Sequence, residues 1–185
     1  MFNIKFVVPP QLKRQAVRYP DIAAYAITDT MRRTRAEARR QLNATYPLLR
    51  KAKINLGALF SVHGADQYKL EGRLVVTSRK IPIAPFVANR RQTMKQKGVP
   101  VKSRVPLQFT GLKGDTHVLP HGFIFRGGNE VSNPPQGAIG SDRFRPYRMV
   151  SVSQLLRTKS IMEALQSFMA STFADLFRKK LDSMK

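Results

Sequence analysis

The sequence predicts an α+β fold for its 185 residues, and three observations carry that reading. Apolar residues recur every three or four positions near the two ends, which is helical spacing. The middle holds short β-branched runs, the mark of strands. Stretches rich in glycine and proline separate those runs. The layout is therefore N-terminal helices, a central antiparallel strand-rich region with long loops, and a C-terminal amphipathic helix. The length suits a single domain, 1–185, since domains commonly run to about 100–200 residues.

Residues 1–20 read as an N-terminal extension. Ile4, Phe6 and Val8 alternate with Lys5 and Val7 as in a short strand, whereas Pro9, Pro10 and Pro20 cannot lie inside a helix. Asp21 is the expected N-cap of a long helix over residues 22–43. Ile22, Ala26, Ile27, Met31, Thr34, Ala38 and Leu42 form its stripe, and the opposite side carries Arg32, Arg33, Arg35, Arg39 and Arg40. A short helix is expected after Thr45, with Pro47 in the first turn where a missing N–H costs little.

Residues 54–66, with Gly57 and Gly64, read as irregular or short-strand structure, and 70–77 as a strand. Pro82 and Pro85 make 81–86 an edge or crossing segment. Residues 99–109 read as a strand interrupted by Pro100 and Pro106, and 122–126 as another after the turn at Gly111 and Gly114. The segments 88–104 and 127–146 read as long loops that need partners to order them. Ser160 and Glu163 spell a capping box for the last helix. Its stripe is Ile161, Leu165, Phe168, Met169, Thr172, Phe173, Leu176 and Leu181, read as core with subunit packing as the other use.

The charge is one-sided: 33 basic against 11 acidic residues give +22, and 19 of the basic residues are arginine. Through residue 110 there are 22 basic and 5 acidic side chains, interleaved with apolar ones. That distribution describes a folded protein with a basic face and an anionic partner, more than an appended basic arm. The chain has no cysteine, which excludes disulfides, iron–sulfur clusters and cysteine zinc sites. No apolar run reaches the roughly 18 residues of a membrane span, and the first residues lack the apolar core of a signal peptide. A soluble protein made inside a cell, with no membrane partner, is expected.

Catalytic patterns are missing. There is no P-loop, no Rossmann glycine fingerprint and no G-x-S-x-G elbow, and the sparse acids form no paired-carboxylate or two-metal cluster. Asp115, His117 and His121 are the one constellation with ligand chemistry. His-x-x-x-His suits a metal on a helix, but Pro120 and Gly122 flank the second histidine, so the pair reads as ordinary loop or strand-end residues. The chain is therefore read as non-enzymatic, with no cofactor and no metal.

The candidate contact residues are Arg32, Arg33, Arg35, Arg39 and Arg40, with Arg90, Arg91, Lys95 and Lys97 of the acid-free stretch 88–104. Each set has two readings: a solvated face, or contact with phosphates or an acidic neighbouring subunit. For the helical set, Glu37 is the compensating glutamate. Phe144, Tyr147 and Met149 beside Arg143, Arg145 and Arg148 have the composition of an interface anchor.

An ordered series of segments adds a family likeness. The Arg-rich helix is followed by a second basic helix and by Arg79-Lys80-Ile81-Pro82-Ile83-Ala84-Pro85-Phe86. Next come Arg91-Gln92-Thr93, Lys97-Gly98-Val99-Pro100-Val101, His121-Gly122-Phe123-Ile124 and Ser151-Val152-Ser153-Gln154-Leu155-Leu156 before the last helix. Over residues 20–185 the chain resembles the minor tail protein Z family, the tail-completion proteins of tailed bacteriophages. It departs at Met149-Val150-Ser151, where the family often carries Gly-Pro, and in a long Pro/Gly-rich segment over 133–148.

The resemblance implies an α+β structural component of the virion at the head–tail junction or upper tail. It implies a homo-oligomeric ring, six-fold in preference to twelve-fold, among portal, connector and tail-terminator proteins. It also implies a role in completing the tail and settling the end of packaged double-stranded DNA, with assembly in the host cytoplasm. From charge alone, the other reading is a basic nucleic-acid-binding protein such as a ribosomal or nucleoid component.

Overall fold

The computed structural model describes residues 2–51, 55–89, 105–112, 114–120, 122–125, 130–132 and 148–184. The expected α+β organisation is observed, with helices towards both ends and small antiparallel sheets between them. The chain forms two compact units, one of Met1–Ala44, Asn55–Arg79 and Val152–Lys185, the other of Thr45–Ile54 and Lys80–Ser151. No helix of the described residues is long and apolar enough to cross a membrane.

The first unit begins with β1 (Phe2–Lys5), and then α1 (Pro10–Arg18), a helix inside what the sequence presented as an extension. The prolines bracket this helix rather than prevent it. Pro10 occupies its first turn, where a preset φ and an absent N–H are both harmless. Leu12 and Ala16, one turn apart, face inward. Tyr19, which precedes Pro20, leaves the helical region at φ −127° and ψ 68°, as a residue before proline is pushed to do. Pro20 then opens α2 (Pro20–Thr45).

The expected stripe of α2 is the observed one. Ala26, Ile27, Met31, Thr34, Ala38 and Leu42 are fully buried and Ile22 nearly so. Asp21 lies in the first turn rather than at the cap, where its carboxylate still faces the positive end of the helix dipole. The sheet of this unit has the order β1-β3-β2, with β2 at Phe60–His63 and β3 at Arg73–Val76. Ile4 and Val62 flank Leu74, and Phe2 and Phe60 flank Val76. The buried Ile4, Phe60, Leu74 and Val76 make its inner side.

A short helix, α4 (Val152–Leu156), precedes α5 (Lys159–Asp182). The capping-box expectation is corrected here. Thr158, not Ser160, is the N-cap residue: its carbonyl accepts from the Met162 N–H at 3.0 Å, and its hydroxyl donates to the Leu155 carbonyl at 2.8 Å. Ile161, Leu165, Met169, Phe173 and Phe177 are the buried residues of α5. Stepping by four, this row turns slowly around the helix, so it ends on Phe177 while Phe168, Thr172, Leu176 and Leu181 of the expected stripe are only half-buried. Phe173 is the hub, with ring centroids 5.0 Å from Phe6 and 5.4 Å from Phe177.

The second unit holds α3 (Pro47–Lys51), started by Pro47 as its sequence predicts, and, among the described residues, six short strands in antiparallel pairs. These are β4 (Lys80–Pro82) with β9 (Arg148–Ser151), β5 (Leu107–Thr110) with β6 (Thr116–Leu119), and β7 (Phe123–Phe125) with β8 (Glu130–Ser132). Three strands go beyond the sequence reading: β6, β9, and β8 within the segment 127–146. The β5–β6 connection turns at Gly114, whose φ of +98° suits glycine. Leu107, Ile83, Leu49 and Val131 are fully buried.

Candidate contact face on the second helix

Helical spacing sorts the five arginines of α2 into two rows. Arg33 and Arg40 lie on one flank with Asp29 and Glu37, while Arg32, Arg35 and Arg39 follow i, i+3 and i+7 along another line. The structure gives the rows different partners.

On the first flank the charge is spent within the helix. Arg33 Nε donates to Asp29 Oδ2 at 2.9 Å. Arg40 grips Glu37 through both carboxylate oxygens, Nε to Oε2 at 2.7 Å and Nη2 to Oε1 at 2.6 Å. Gln41 Nε2 adds a third donor to Oε1 at 2.7 Å. The sequence reading weighed Glu37 as compensation and overlooked Asp29, whose four-residue separation from Arg33 was already a signal.

Glu37 is a buried carboxylate, and it stays ionised through these bonds. The Arg40 hydrogen bond lowers its pKa below the ordinary 4.5, against the opposing pull of burial, with the Gln41 bond and the Arg40 charge adding to the lowering. The same pairing raises the Arg40 pKa. A carboxylate depressed in the folded state contributes stability above its unfolded pKa, and loses it as pH falls through the folded value. The Tm advantage of the native protein over Glu37→Gln should therefore be flat from neutrality to about pH 5 and shrink below about pH 4.5. An advantage of the same size at pH 3 and pH 7 would contradict this role.

The second row keeps its charge. Arg35 Nη2 donates to the Gly57 carbonyl at 2.8 Å, which fixes the side chain without neutralising it. Gly57 lies in the single helical turn at Leu56–Leu59, whose first N–H groups are served by Asn55: its Oδ1 accepts from the Ala58 N–H at 3.3 Å. The Arg39 guanidinium rests by the same turn, with Nη1 3.6 Å from where a Gly57 Cβ would stand. Arg32 and Arg39 are exposed and make no hydrogen bond or ion pair with any described residue.

One further cation joins this side of the unit. Lys180, near the end of α5, places its ammonium 5.4 Å from the centre of the Tyr25 ring. Tyr25 is two turns before Arg32 on the same line of α2. Sequence reasoning missed Lys180 because 155 positions separate it from Tyr25 and only folding joins them.

Arg90, Arg91, Lys95 and Lys97 lie outside the described residues, as do Phe144 and Tyr147 and most of the loop expectations at 88–104 and 127–146. His117 is on β6, stacked on Phe109 at 5.0 Å with Nε2 3.2 Å from Asp115 Oδ2, while His121 is outside the described residues. Among the described residues no three His, Asp or Glu side chains gather as a metal site. A cleft of ≈ 660 Å³ opens beside α1 and the end of α5, edged by Gln11, Gln15, Arg18, Arg178 and Asp182. Comparison with protein-family models, with curated proteins and with solved structures found no match to this chain.

Proposed function

We propose that this chain is a structural component of a bacteriophage virion, seated at the head–tail junction or upper tail. There it works as a homo-oligomeric ring that completes the tail, with portal, connector and tail-terminator proteins as neighbours. The observation that carries the proposal is the Arg32, Arg35 and Arg39 row of α2, a cationic face on a long helix with no acidic partner among the described residues. Its chemistry is that of docking to an anionic surface. The segments that resemble the tail-completion family support the same reading. The Arg-rich helix is α2, residues 79–86 supply β4 and the turn at Ala84–Phe86, Gly122-Phe123-Ile124 leads into β7, and Ser151–Leu156 leads through α4 to α5.

Sedimentation of lysates from cells producing phage and this protein tests the proposal directly. The protein is expected in the tail and whole-particle bands. Recovery with ribosomes or bulk nucleoid, and none in particles, would overturn it in favour of a cellular nucleic-acid-binding role.

A further inference from the structure

We infer that Arg32 and Arg39 of α2, together with Lys180 of α5, bind the phosphodiester backbone of duplex DNA, with Arg35 as a fixed strut between them. This inference rests on the proposed reading of α2 as a contact face and names the partner of that face.

Sorting the cations by partner defines the site. Arg33 and Arg40 are committed to Asp29 and Glu37. Arg32 and Arg39 have no such partner among the described residues, and the Tyr25 ring holds the Lys180 ammonium without cancelling its charge. Asp21 and Asp29 each lie one turn from Tyr25 along α2, and Asp29 is engaged by Arg33.

Spacing then fits a regular polyanion. Arg32 and Arg39 are two turns apart, about 10 Å along the axis, and Tyr25 with its Lys180 lies about 10 Å further back. The three cations thus sample a line of about 21 Å, the axial length of about six base pairs of a duplex at 3.4 Å each.

The surroundings favour DNA over an acidic protein. A stable protein interface centres on desolvated aromatic or aliphatic anchors. Between Arg32 and Arg39 the exposed positions are Arg33 and Ala36, and the one aromatic of the line, Tyr25, is 55% exposed with the Lys180 ammonium 5.4 Å from its ring centre. Ala36 is the one small exposed side chain between the two guanidinium groups. Phosphate contact needs charge and register but no apolar anchor.

The test is a salt titration of DNA binding by the full chain, using a labelled duplex of about three helical turns and an unrelated duplex of equal length. Each lost phosphate contact should reduce the slope of log affinity against log salt by about 0.9. Arg32→Gln with Arg39→Gln should flatten it by about two units on both duplexes, while circular dichroism and Tm stay native. The charge-neutral control Asp29→Asn with Arg33→Gln should keep the wild-type slope.

A wild-type slope in the Arg32/Arg39 variant would overturn the inference, as would equal flattening by the control. Tighter binding to polyglutamate than to DNA, lost in the same variant, would overturn it in favour of an acidic protein partner. The two proposals fail separately. Particle incorporation with an unaltered DNA slope removes the DNA site and keeps the virion role, and the reverse result does the opposite.

Discussion

Phe173→Ala is expected to cost about 3–5 kcal/mol of stability, the usual range for emptying a buried aromatic site. Phe173 is fully buried, and its ring is the link between Phe6, which follows the first strand, and Phe177 in the last turns of α5. Removing it leaves a cavity that Phe6 and Phe177 cannot both close, because each is fixed by its own backbone. Against a typical total of about 5–15 kcal/mol, such a loss takes the protein to the edge of folding. Urea unfolding of the variant checks it, beside Phe168→Ala at the half-buried neighbouring position. Phe168→Ala should cost clearly less. Equal losses at the two positions would show that the Phe6–Phe173–Phe177 cluster does not hold α5 in place.

Gly72→Ala is the second large effect, and it acts by crowding. A Cβ at Gly72 would stand 2.6 Å from both Ile27 Cγ2 and Met31 Cγ. Both residues are fully buried on α2, so neither can swing into solvent. Gly72 also accepts the Phe6 N–H at 2.9 Å, which extends the β1–β3 pairing. Relief of the clash must therefore shift α2 or the sheet, and overpacking of this kind costs about 1–3 kcal/mol. Gly57→Ala is the matched comparison, since its new Cβ meets nothing closer than Asn55 Oδ1 at 3.2 Å. A thermal melt should show a marked drop in Tm for Gly72→Ala and a small one for Gly57→Ala. Similar small shifts at both would mean that the α2–sheet packing yields more readily than its burial implies.

The long helices were legible because their burial is periodic. Every residue of the expected stripe on α2 is buried; on α5 Ile161, Leu165, Met169 and Phe173 are buried as expected, whereas Phe168, Thr172, Leu176 and Leu181 are half-buried and Phe177 is buried instead. Helix α1 was not legible, because three prolines within twelve positions look like an interruption until Pro9 and Pro10 are seen leading in and Pro20 starting the next helix. Strands β6, β8 and β9 have three or four residues each, too few for alternation to register, and pairing with a distant strand creates them.

The contact face was legible in part. The arginines themselves were visible, and so were the helical separations that tie Arg33 to Asp29 and Arg40 to Glu37. What sequence could not supply is the hold of the Gly57 carbonyl on Arg35, across 22 positions, or the arrival of Lys180 at Tyr25. Those contacts depend on tertiary structure, and they divide five similar arginines into a spent flank and a charged row.

A symmetry-resolved reconstruction of the neck of the phage particle tests the central claim most directly. The account predicts density for this chain as a closed ring at the junction of head and tail, with α2 turned so that Arg32 and Arg39 face the DNA path. A neck whose density is fully explained without this chain would contradict the virion role, and a ring with Arg32 and Arg39 turned away from DNA would contradict the assignment of its basic face.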